Sequence, residues 1–102
     1  MGGGLEPIAS RVFDLGRFVD VASHKDLVLL GGAHEGKRPL MPYSVWTTDL
    51  TTFKRVRFPR ASERLGGIVY AVAFSRNGAR AVAGGDDTNS RAVMWFSRVG
   101  SQ

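Results

Sequence analysis

An all-β fold of two four-stranded antiparallel sheets in tandem is what the sequence predicts, and three observations predict it. Ile68 to Phe74 is a nearly unbroken apolar run. Turn chemistry, including Asn77-Gly78, falls between short apolar runs. The whole pattern also recurs about 50 residues upstream. Helix periodicity is missing: the apolar positions from Ile68 to Phe74 are consecutive, as in a strand covered on both faces, whereas a helix leaves gaps at three and four.

Taken in order, Met1-Gly-Gly-Gly-Leu-Glu6 opens a flexible tail over residues 1–7, or an expression scar. Glu6 stands where a myristoylation signal wants Ser or Thr. Residues 8–16 are expected to hold an outer strand, Ile8 to Leu15, that pairs locally or completes a sheet of a neighbouring chain. The first sheet is assigned to residues 17–59. It starts with a strand at Val19 to Ala22 and a polar turn at Ser23-His-Lys-Asp26. Leu27 to Gly32 is the next strand. A longer loop, Ala33 to Pro42, leads to a third strand ending Ser44-Val-Trp46. Phe53 to Phe58 is the expected outer strand, with Val56 and Phe58 on one face and Arg55 and Arg57 on the other, until Pro59 ends it. The second sheet is assigned to residues 60–102. Only Ser62 to Leu65 could form a helical turn. Ile68 to Phe74, the turn Ser75-Arg-Asn-Gly78, Ala79 to Gly84, a polar loop and Arg91 to Phe96 then follow. Ser97 to Gln102 is short for a turn and a fourth strand.

Matched positions in the two halves are separated by 52 residues at the first turn, 53 at the Gly-Gly strands and 49 at Trp46 and Trp95. A period near 50 built from strand, turn, strand and a Trp strand is propeller spacing, not solenoid spacing. Val72-Ala-Phe-Ser-Arg-Asn-Gly78, Ala83-Gly-Gly-Asp-Asp87 and Val93-Met-Trp95 resemble the repeats of the WD-repeat β-propellers. The resemblance implies two four-stranded blades per chain, with Phe74, Gly78, Trp46 and Trp95 as structural repeat positions. The Gly-His pair of that family is absent, and the Asp that follows its Trp is Thr47 or Phe96 here. The family's His-to-Asp network is therefore not implied.

At 102 residues and 11.1 kDa the chain is one small domain that buries roughly 65% of its unfolded surface. Composition is ordinary for a globular protein, with 23% charged and 43% hydrophobic residues, which argues against disorder. Without cysteine, neither disulfides nor a thiolate zinc site can staple it. No apolar run approaches the roughly 20 residues that span a bilayer, and no signal peptide is evident, so a cytoplasmic setting is expected.

Several residues invite catalytic readings that their spacing defeats. Ser23, His24 and Asp26 lie along one turn and cannot point at a common centre. His34-Glu35 lacks the second histidine of a zinc protease helix. Asp86-Asp87-Thr-Asn89 lacks the spaced carboxylates of a calcium loop. The Gly-Gly pairs open no helix and so cradle no phosphate. No cofactor, metal or catalytic residue is assigned. Trp46 and Trp95 read as packing between sheets because a repeated position demands a repeated side chain, while Tyr43 and Tyr70 could reach a surface.

The net charge of +5 is concentrated in Lys54, Arg55, Arg57, Arg60 and Arg64 against Glu63. Such a cluster suits phosphate, but on an outer strand it also keeps stray strands from pairing, which is the preferred reading. Nucleic acid and membrane are not expected as partners. The expected function is a non-catalytic scaffold or protein-interaction module assembled from two-bladed protomers, three copies preferred and two next. Its partners are itself and another protein. The expected interaction surface comprises Lys37, Arg38, Tyr43, Arg60, Arg64, Asp86 and Asp87. The loops Ala33 to Pro42, Pro59 to Gly67 and Gly85 to Ser90 that carry most of them share one end of the sheets. The alternative is a glycan- or small-ligand-binding propeller with sites at the blade junctions.

Overall fold

A computed structural model of the chain describes residues 4–36 and 40–99. The element order is a 3-10 turn (Arg11–Phe13), β1 (Gly16–His24), β2 (Leu27–His34), β3 (Met41–Thr47), β4 (Lys54–Arg55), α1 (Arg60–Leu65), β5 (Ile68–Phe74), β6 (Arg80–Asp86) and β7 (Ala92–Arg98). The fold is all-β: one antiparallel sheet in the order β1-β2-β3-β4 and a second in the order β5-β6-β7. The first sheet has the expected four strands. The second has three among the described residues.

Two expectations for outer strands change. Ile8 to Leu15 does not form a strand: the Ser10 hydroxyl accepts the Val12 N–H and caps the turn Arg11–Phe13. Phe13 then packs edge-on against Phe18 and Phe53. One turn that seats a single aromatic wins over a strand whose apolar residues do not alternate. The expected strand Phe53 to Phe58 contracts to Lys54–Arg55, extended by a hydrogen bond from the Val56 N–H to the Ser44 carbonyl. Beyond it Phe58 is buried, and Pro59 begins α1.

The inner strands share one backbone design. Both β1 and β5 carry an irregularity at the same place, between Phe18 and Asp20 and between Val69 and Ala71. Register beyond it also matches. Ala22 pairs with Leu29, which pairs with Trp46, as Ala73 pairs with Val82 and Val82 with Phe96. Val21-Leu30-Val45 likewise corresponds to Val72-Ala83-Trp95. By pairing, therefore, the counterpart of Trp46 is Phe96, and that of Trp95 is Val45. A shift of one residue reverses a side chain's face, so the two tryptophans do not occupy one repeat position. They point at each other's sheet.

That convergence builds the core. Leu29, Phe58, Val69 and Val72 are buried between the sheets, flanked by Ala22, Trp46, Val56, Phe74, Ala81, Ala83 and Trp95. Burying a side chain of this size is worth about 1.5–3 kcal/mol. The sheets approach so closely over Gly31 that a Cβ there would lie 2.7 Å from a Val69 methyl and 2.8 Å from a Val72 methyl. One charged group joins them: the Asp20 carboxylate accepts the Val72 N–H at 2.9 Å. At the lower edge, Gly78 (φ 74°) completes the Asn-Gly turn and lies against the His24 ring.

Candidate functional site

Both faces of the second sheet carry large apolar side chains, but only one of them is covered. Val69, Val72, Ala83 and Trp95 face the first sheet. The alternate positions face outward, and there Met94 is 74% exposed and Phe96 is 76% exposed. Ala71 and Ala73 are exposed on the same side, with Gly84 at its centre. A Cβ at Gly84 would meet nothing within 4 Å, although its counterpart Gly31 is filled by two valines. Soluble surfaces scatter large apolar side chains singly, and contiguous ones mark an interaction site. This outward face is the candidate site.

The loop end is organised by hydrogen bonds. Gly67 N–H donates to the Leu40 carbonyl, Thr88 Oγ1 donates to the Leu65 carbonyl, and Glu35 N–H donates to the Leu15 carbonyl. The three expected loops thus meet at one end of the sheets. Arg60 and Arg64 are exposed there on α1. Asp87 is buried and spent on its own turn, its carboxylate accepting the Asn89 and Arg91 N–H groups. Asp86 is half-buried at the end of β6. Lys37 and Arg38 lie outside the described residues.

Tyr43 does not join that surface. It is 1% exposed on the back of the first sheet, stacked on Phe18, with the Arg55 guanidinium 5.0 Å over its ring. Its hydroxyl has no hydrogen-bond partner among the described residues, and burial raises its pKa, opposed by Arg55 and reinforced by Asp14. Tyr70, in contrast, is exposed. The basic cluster is also divided: Lys54 lies over Trp46 at 5.5 Å on the front of the sheet, while Arg55 lies over Tyr43 on its back.

Trp46 and Trp95 are half-buried at the junction. Trp95 packs edge-on against Phe58, and its Nε1 donates to Ser62 Oγ at 3.0 Å. Phe74 is half-buried and faces His24. Two apolar clefts flank the junction. One of about 300 Å³ is lined by Trp95, Phe58, Leu29 and Arg57, and one of about 290 Å³ by Trp46, Phe74 and Leu27.

Among known proteins, no family model, curated protein or solved structure matches this chain. Among the described residues no cluster of three or more His, Cys, Asp or Glu could hold a metal ion, and no helix is long and apolar enough to cross a membrane. The sequence signal for the outward face was available in β7, Ala-Val-Met-Trp-Phe-Ser-Arg, where Val93 and Trp95 alternate with Met94 and Phe96. A strand apolar on both sides needs two covers.

Proposed function

We propose that this chain is a non-catalytic, cytoplasmic scaffold or protein-interaction module of the β-propeller type, in which stacked sheets continue beyond the two present here. The observation that carries this reading is the bare outward face of β5-β6-β7, register-equivalent to a face that the chain itself covers. The repeat of near 50 residues and the likeness of Val72 to Gly78 to WD repeats support the same architecture. In such an assembly the sheet faces hold the structure together, and the clustered loops at one end, with Arg60 and Arg64, meet a protein partner.

Affinity capture tests it, with the wild type compared against a Met94→Lys/Phe96→Lys variant. The expected result is a stoichiometric protein partner, a copy of this chain or another protein, that the variant loses while melting as the wild type does. Retention of every partner by the variant would contradict the reading. The clefts that carry Trp46 and Trp95 favour a second reading, a small apolar ligand at the junction. Their few polar groups suit such a ligand better than a sugar.

A further inference from the structure

Resting on the interaction-module reading, we infer that the outward face of the second sheet is covered by the back of the first sheet of a second copy, head to tail, with Val21 seated over Gly84. The chain shows what a cover must look like. Gly31 is filled by a sheet that presents Val72, and the register counterpart of Val72 in the first sheet is Val21. Val21 is 57% exposed, so it is available to a second molecule. The other valine at Gly31, Val69, has Phe18 as its counterpart, and Phe18 is engaged by Phe13 and Tyr43. Those aromatics cap the back face along the rung Phe18-Gly32-Tyr43, at the loop end of the sheet. Beyond that rung β1 is left exposed at Val19 and Val21.

Arg80 and Arg98 are paired directly opposite each other at the lower end of the outward face, with no ion pair among the described residues. Like charges facing across strands repel. Within the chain, the turn between β5 and β6 meets the lower end of the first sheet at His24. The corresponding turn of a second copy, between β1 and β2, carries exposed Asp26 beside exposed Lys25, so it offers the two arginines a carboxylate but no net negative charge. The second junction differs from the first in one respect. The counterpart of Asp20 is Ala71, so it lacks the carboxylate that accepts a backbone N–H across the sheets. It is accordingly the weaker junction, made between molecules and not within one. A head-to-tail contact of this kind closes into a ring or continues as a filament.

Sedimentation velocity of the purified chain tests this, using Gly84→Val, which fills the socket, and Val21→Asp, which removes the plug. Both positions are open in the single chain, so each variant should melt as the wild type does. Phe96→Lys and Val21→Lys serve as a second pair should either variant fail to fold. The wild type is expected to assemble, and each variant alone to stay monomeric. An equimolar mixture should form a one-to-one dimer, because one variant keeps the face and the other keeps the plug. A wild type that is monomeric at all concentrations overturns the second-copy partner; capture of a different protein by the same face would still uphold the module. Assembly of Val21→Asp as the wild type, with Gly84→Val monomeric, overturns the head-to-tail arrangement in favour of two outward faces meeting each other. Undiminished assembly of Gly84→Val removes the socket.

Discussion

The front of the first sheet and the front of the second are built on the same rungs, yet one is core and the other is surface. Ala22-Leu29-Trp46 is packed under Val69, Val72 and Trp95, while on the rung Ala73-Val82-Phe96 the two outer residues, Ala73 and Phe96, are exposed among the described residues. Gly31 and Gly84 make the contrast sharpest: identical residues in identical register, one crowded by two valines and one facing open space. The difference supports the proposal of a cover that the second sheet does not find within the described chain. A surface evolved to face water would have replaced Met94 and Phe96 with polar residues, as alternation permits at no cost to the covered side.

The largest expected effect separates neighbours on β7. Trp95→Ala should destabilise the chain by about 3–5 kcal/mol, because it empties the contact with Phe58 and frees Ser62 Oγ. Phe96→Ala should change stability by no more than about 0.5 kcal/mol when the chain is measured as a monomer. Urea unfolding of both decides it, and equal losses would mean that the register is misread.

Next come the glycines. Gly31→Ala should cost about 1–3 kcal/mol, since the Val69 and Val72 methyls must move, whereas Gly84→Ala should melt within about 0.5 kcal/mol of the parent. A tolerant Gly31 would break the comparison by showing that the sheets do not approach as described.

The smallest effect concerns the back of the first sheet. Tyr43→Phe removes a buried hydroxyl that has no partner among the described residues, so stability near neutral pH should hold or rise by up to about 1 kcal/mol. The raised pKa of Tyr43 means that its contribution is fully present below the unfolded tyrosine value of about 10 and is lost as pH rises above it. The Phe variant should therefore lose less stability in that alkaline range, as thermal melts across pH would show.

Much of this was legible in the sequence. Ile68 to Phe74 forms a strand with the expected bounds, and Asn77-Gly78 forms the expected turn with positive φ at Gly78. Local chemistry suffices for such elements, because apolar runs and positive-φ residues act where they stand. Pairing is less local. Trp46 and Trp95 looked equivalent by residue type, but register is set by the whole ladder and places them on opposite faces of their sheets. The turn at Arg11–Phe13 was hidden for a similar reason, since the hollow that Phe13 fills is made by the distant Phe53. Tyr43 was misplaced because an aromatic beside a loop gives no sign of which side of β3 it takes. The cross-sheet bond from Val72 N–H to Asp20 had no sequence signal, because its partners are brought together only by stacking.

The outward face of β5-β6-β7 should be covered when the protein is assembled, and Met94 reports on it directly. Its thioether is largely exposed in the single chain, so dilute peroxide should oxidise it at the rate of a free methionine at low protein concentration. Peptide mass spectrometry across a series from nanomolar to tens of micromolar should show that rate falling several-fold as copies assemble, while half-buried Met41 changes little. A Met94 rate that stays fast and independent of concentration would contradict the account.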